Sequence, residues 1–133
     1  MIEQPLPAKD LAGYLKFPPK IKDVIALDES LVNFQDALKL SNDNYGRNFN
    51  IKLMKCGGIT SGQHIANQAY QNNIDLMWGC NDESIISISA ALNTALSFNN
   101  TKYLDLDGSL DLVKDLVSGG FNLKNGIMKP SDK

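Results

Sequence analysis

Val24-Ile25-Ala26-Leu27-Asp28 and, one repeat later, Phe49-Asn50-Ile51-Lys52 decide the fold of this chain. Each is a short apolar run that ends on a charge. The same punctuation occurs upstream at Ile2-Glu3-Gln4-Pro5 and downstream at Tyr103-Leu104-Asp105-Leu106-Asp107. Charged residues thus recur at positions 3, 28, 52 and 105, the first three about 25 residues apart. A strand plus a helix of an α/β barrel takes roughly that length, and barrel chemistry sits at the C-terminal ends of the strands. The chain reads as α/β, a run of consecutive barrel units that bring one chemical group each to a common rim. A closed barrel needs roughly 250 residues, against 133 here, so the expectation is half of an enzyme.

Outward from those runs, strand and helix patterns alternate. Val24–Leu27, Phe49–Leu53, Ile74–Trp78 and Tyr103–Leu106 have the look of parallel strands buried on both faces. Helices are expected over Lys9–Leu15, Asn33–Leu40, Ser61–Tyr70 and Ser84–Phe98, the last being the longest and most apolar. Ser61 reads as an N-cap, and Pro18-Pro19 as a stop for the first helix. Alternation of this kind implies parallel strands with right-handed crossovers. After Asp107 the pattern weakens: Leu110–Val117 reads as one more helix, and Gly119–Met128 as a short hairpin or tail.

Composition excludes several classes. The chain is 43% hydrophobic and 21% charged with a formal net charge of −2. It has no Lys/Arg cluster for nucleic acid, no run of ~20 apolar residues for a membrane span, and no secretory layout at Met1–Pro5. Cys56 and Cys80 are too few for a disulfide framework or a zinc site, and a reducing cytoplasm is the expected location.

Glu3 and Asp28, at neighbouring strand ends, are candidates to share a hard cation such as Mg²⁺, which takes oxygen ligands; they also read as loop carboxylates or caps. Lys52 follows Ile51 inside an apolar strand. A partly desolvated lysine beside a cation is expected to have a lowered pKa and to serve as a general base, the alternative being a lysine that snorkels at a barrel end. Lys55, an odd number of residues further on, is expected on the opposite face of the strand. Asp105 and Asp107, two apart on a strand, leave one face and suit an organic ammonium; an Asp107-Gly108 turn would explain Asp107 but not Asp105. Asn81-Asp82-Glu83 lies on the same rim, either capping the long helix or touching substrate. His64 reads as structural, and neither cysteine has a partner for thiol catalysis.

At these residues the sequence resembles the enolase superfamily and, within it, the dipeptide epimerases of the muconate-lactonizing subgroup, such as those acting on Ala-Glu. The segments are Ile2–Pro7, Asp28-Glu29-Ser30, Asn50-Ile51-Lys52-Leu53-Met54-Lys55-Cys56-Gly57-Gly58-Ile59 and Asp105-Leu106-Asp107-Gly108. The resemblance implies the C-terminal half of a (β/α)7β TIM-like barrel, strands four to eight, over residues 1–133. It implies Glu3 and Asp28 as Mg²⁺ ligands, Lys52 as acid/base, Asp105 and Asp107 as the site for a dipeptide's α-ammonium, and Asn81 and Asp82 where the substrate side chain is read. An acidic Asp82 would favour a cationic side chain. The implied reaction is a 1,1-proton transfer through a Mg²⁺-stabilised enediolate. The family's capping domain, its first three strands, its Lys-x-Lys base and its first Mg²⁺ carboxylate have no counterpart here. The tail Met128–Lys133 lacks the family's Pro-Gly-rich ending. Met1, directly before the fourth-strand motif, leads to the expectation of an enzyme half that is inactive alone, acting as a homo-oligomer or with a complementing N-terminal half. The alternatives are a non-catalytic remnant and a cycloisomerase of the same superfamily.

Overall fold

A computed structural model describes residues 1–131; Asp132 and Lys133, the end of the tail compared above with the family's ending, lie outside the described residues. Five strands, β1 (Ile2–Glu3), β2 (Ile25–Leu27), β3 (Asn48–Lys52), β4 (Asp75–Gly79) and β5 (Thr101–Leu104), form one sheet in sequence order. Every neighbouring pair is parallel. Helices fill the crossovers: α1 (Leu11–Leu15) and α2 (Pro19–Lys22), then α3 (Phe34–Asn42), then α4 (Leu53–Cys56) and α5 (Ile59–Gln71), then α6 (Ile85–Leu96). An antiparallel hairpin, β6 (Phe121–Lys124) and β7 (Ile127–Pro130), closes the described chain. Among the described residues no helix is long and apolar enough to cross a membrane.

The two-residue period of the strands sorts side chains between the faces. Ile25, Leu27, Phe49, Ile51, Leu76 and Trp78 pack against Ala37 and Leu40 of α3, Ile65, Ala66 and Ala69 of α5, and Ile88, Leu92 and Ala95 of α6. The opposite face is set by register. Glu3 pairs with Ala26, Ala26 with Asn48, Asn50 with Met77 and Lys52 with Gly79. Paired residues of neighbouring strands point to the same side, so Glu3, Asn50 and Lys52 share a face, and Asp28, two past Ala26, continues it.

Several local expectations need correction. Pro18-Pro19 does not merely end a helix: Pro19 opens α2, where its missing N–H costs nothing at the first helical position. Gly58, not Ser61, precedes α5, and at 13 residues α5 is one longer than α6. Leu96, the last residue of α6, is 58% exposed. Leu110–Val117 forms no helix but a turn-rich segment, whereas the hairpin over Gly119–Met128 is present and turns through Asn125 and Gly126, both at positive φ.

The largest correction concerns the strand expected over Phe49–Leu53. It stops at Lys52, and Leu53–Cys56 coils at once into α4. Gly57, at φ +91°, ends that turn in the left-handed region, and the N–H groups of Gly57 and Gly58 both donate to Leu53 O.

Candidate active site

Asp28 is the centre of the site. It directly follows β2 with only 5% of its surface exposed, and its carboxylate meets two ammonium groups. Lys52 Nζ lies 2.9 Å from Oδ2, and Lys55 Nζ contacts Oδ1. Lys52 arrives from the end of β3. Lys55 arrives because α4 turns the chain back over the strand end, and the opposite-face expectation fails for that reason alone: a helical turn repositions the residue three places on. Lys55 Nζ also donates to Asp28 O (2.7 Å) and Asn50 O (3.3 Å).

The electrostatics follow. Burial pushes the Asp28 carboxyl upward, but the hydrogen bonds and charges of Lys55 and Lys52 outweigh it and hold it below the usual carboxylate range. Burial pulls Lys52 down, yet Asp28 more than reverses this, and its pKa is raised. In the Asp28–Lys52 pair itself the ammonium is the favoured form; the lowered pKa is the expectation for a lysine beside a cation. Lys55 is held lower by its deeper burial, against the pull of Asp28.

Glu3, exposed at the end of β1, is reached through Asn50, whose Nδ2 donates to Glu3 Oε1 (2.7 Å). Asn50 is fully buried, and its Oδ1 has no hydrogen-bond partner. Gly79 makes room for it, since a Cβ there would stand 2.6 Å from Asn50 Oδ1. Gln4 ties the ends of β1 and β2 together. Its Oε1 accepts from Asp28 N (2.9 Å) and Ser30 N (3.3 Å), and its Nε2 donates to Tyr14 Oη (2.8 Å) and Ser30 Oγ (2.8 Å).

On the other side of the rim, β5 ends at Leu104, so Asp105 and Asp107 lie just past the strand rather than on it. The ladder still extends one bond, from Asp105 N to Trp78 O (2.9 Å). Exposed Asp105, buried Leu106 and exposed Asp107 keep the strand's alternation. The loops after β4 and β5 interlock: Gly108 N donates to Cys80 Sγ (3.3 Å), and a Cβ on Gly108 would lie 1.9 Å from Asn81 O. Asn81 and Asp82 are thereby held beside Asp107, both exposed. Glu83 is different. Its carboxylate is buried, accepting from Asn81 N (2.9 Å) and from Ser87 Oγ, so it shapes the loop. The cap of α6 is Ser84, with the Asp115 carboxylate accepting from Ser84 Oγ (2.7 Å) and Ile85 N (2.6 Å). A cleft of about 410 Å³ runs from Asp105 and Asp107 to Leu123 and Met128 of the hairpin. His64 packs edge-on against Phe34, as a structural residue does.

The geometry gathers Glu3, Asp28 and Lys52 on one side of the rim and Asn81, Asp82, Asp105 and Asp107 on the other. Sequence reasoning missed Lys55, Gln4 and Asn50 as parts of the site. Gly57-Gly58 was the available signal for Lys55, because a glycine pair commonly closes a helical turn; an asparagine inside an apolar strand was the signal for Asn50. Glu3 and Asp28 offer the oxygen donors that Mg²⁺ takes, and the buried Asn50 Oδ1, on the side chain that donates to Glu3, has no hydrogen-bond partner among the described residues. Two carboxylates are short of a full set: among the described residues no group of three or more His, Cys, Asp or Glu is placed to hold a metal.

The family model described as "Enolase C-terminal domain-like" matches residues 1–133. The chain is 53% identical to an L-Lys-D/L-Arg epimerase of Desulforapulum autotrophicum, over 99% of its own length and 38% of the relative's. It is 33% identical to the L-Ala-D/L-Glu epimerase of Bacillus subtilis, over 100% of its own length and 36% of that protein's. The crystal structure of a dipeptide epimerase from Methylococcus capsulatus, complexed with Mg and L-Arg-D-Lys, matches with a TM-score of 0.95 and 48% identity, over 98% of this chain and 37% of that one. The chain thus spans little more than a third of the relatives it matches.

Proposed function

Because the chain belongs to the enolase C-terminal domain-like family, we propose that it supplies strands four to eight of the barrel of a Mg²⁺-dependent dipeptide epimerase, and that its substrates carry cationic side chains. The observation that carries the first part is the Asp28–Lys52 contact beside Glu3 at adjoining strand ends. The second part is supported by Asp82, an exposed carboxylate on the loop that interlocks with the one carrying Asp107, and by the greater identity to the L-Lys-D/L-Arg relative than to the L-Ala-D/L-Glu relative.

Each residue then has a task. Asp105 and Asp107 receive the α-ammonium of the dipeptide, and Asp82 the charge of its side chain. Glu3 and Asp28 would hold Mg²⁺ with a further oxygen ligand from outside the described residues; when bound, the ion would supply the positive charge that acidifies the proton on the carbon next to the substrate carboxylate. Lys52, at the end of β3 beside Asp28, serves as the acid/base on one face of that carbon. Lys55 is not the opposing base: its ammonium already serves three acceptors and lies on the same carboxylate as Lys52. An epimerisation needs a second base facing Lys52, which the proposal places in a complementing N-terminal half.

The test is α-proton exchange in D₂O with Mg²⁺, followed by NMR, on Lys- and Arg-containing dipeptides against Ala-Glu. The chain is assayed alone and mixed with the N-terminal part of the Methylococcus capsulatus enzyme. Exchange of cationic dipeptides only in the mixture is expected. A clear preference for Ala-Glu would refute the side-chain assignment, and silence in both arms would refute the epimerase reading.

A further inference from the structure

Lys55 occupies a place that its neighbour Lys52 does not. Both ammonium groups bind Asp28, but among the described residues Lys52 has the carboxylate as its one hydrogen-bond partner, through Oδ2 at 2.9 Å. Lys55 is anchored twice more, to the carbonyls of Asp28 (2.7 Å) and Asn50 (3.3 Å). Its three donors are thus all used. It is fastened to the backbone at the ends of β2 and β3 and grips Oδ1 from there. The α4 turn, closed by Gly57 in the left-handed region, fixes the direction from which it reaches. On the other flank, Gln4 Oε1 holds Asp28 N (2.9 Å).

We propose that Lys55 is a positioning residue that fixes the Asp28 carboxylate through Oδ1, leaving Oδ2 as the one oxygen Asp28 offers to a divalent cation. Lys52 holds that oxygen by a single contact and is the partner that yields. The inference rests on the metal reading of Glu3 and Asp28 given above. It makes the two lysines, which look alike in charge and distance, opposite in effect. A cation close to a metal ligand repels the metal, so removing a mere neighbouring charge strengthens metal binding. Removing a group that orients a ligand weakens it, typically by about 10–100-fold.

The experiment measures Mn²⁺ affinity of the 133-residue chain, alone and mixed with the N-terminal part of the Methylococcus capsulatus enzyme, by electron paramagnetic resonance, with thermal melts alongside. Lys52→Met is expected to tighten Mn²⁺ binding, and Lys55→Met to weaken it by about tenfold or more while cooperative melting is retained. Unchanged or tighter binding in Lys55→Met would overturn the proposal. If Lys55→Met loses its cooperative melt, Lys55→Arg decides. It keeps the charge but replaces a compact ammonium by a planar fork, so weakened Mn²⁺ binding is expected and wild-type affinity overturns the positioning role. Absence of Mn²⁺ binding by the unsubstituted chain both alone and mixed with the N-terminal part of the Methylococcus capsulatus enzyme would overturn the metal reading itself, an outcome separable from the others because no variant is involved.

Discussion

Asp28 shows how much one residue can carry. A carboxylate this buried is tolerated because two ammonium groups and the Gln4 network satisfy it, and each ammonium is tolerated because of the carboxylate. Asp28→Asn leaves two half-buried ammonium groups without a counter-charge, which is expected to destabilise the chain by about 3 kcal/mol in urea unfolding. The pH dependence has a definite sign. The folded pKa of Asp28 lies below its ordinary value, so the unfolded chain binds more protons in that window and stability rises with pH through it. The contribution is present above the ordinary carboxylate pKa and is lost as pH falls through the folded one. Lys52, raised in the folded state, contributes below its ordinary pKa and loses that contribution as pH rises through the folded value. Urea titrations at acid pH are expected to show a steep loss in the parent chain and a flatter one in Asp28→Asn.

Between elements, the contact of the β4 and β5 loops is the tightest constraint on the second half of the rim. No side chain fits at Gly108, because Asn81 O occupies the space a Cβ would need. Gly108→Ala must separate the loops that carry Asp82 and Asp107, at a cost of about 1–3 kcal/mol by the usual penalty of overpacking. A fall in the urea midpoint, together with altered amide shifts confined to residues near 80–83 and 105–109, is the expected result. Wild-type stability would show that the loops part freely. The Lys52-to-Gly58 junction is a second case. A strand, a single helical turn and a left-handed glycine in direct succession place two lysines on one carboxylate, which a continuous strand would have sent to opposite faces.

At the scale of the molecule, the sheet ends in two parallel edges. Ile2 on β1 and Tyr103 and Leu104 on β5 are 41%, 44% and 45% exposed, and such edges pair with other chains. Val113 and Leu116, beyond β5, are nearly fully exposed as well. We expect association in solution, as a homo-oligomer or with a complementing half. Sedimentation at several concentrations is expected to give a species larger than the monomer. Leu104→Lys, a charge on the edge strand, should shift it toward monomer; a parent chain that is monomeric throughout would overturn this expectation.

The sequence by itself determined the succession of strands and helices, the parallel sheet, and the rim positions of Glu3, Asp28, Lys52, Asp105 and Asp107. Those follow from local pattern, since apolar runs punctuated by charges recur at the length of one strand–helix unit, and register then carries each charge to the same end. What only the tertiary structure decided is which charges meet. Lys55 joins Asp28 because the chain coils after Lys52, and Leu110–Val117 stays irregular because its apolar residues find no surface to cover. Glu83 turns inward while Asp82 remains exposed. The protonation of Lys52 was likewise undecided, because it depends on a carboxylate 24 residues away in the chain, and long-range electrostatics leave no trace in local periodicity.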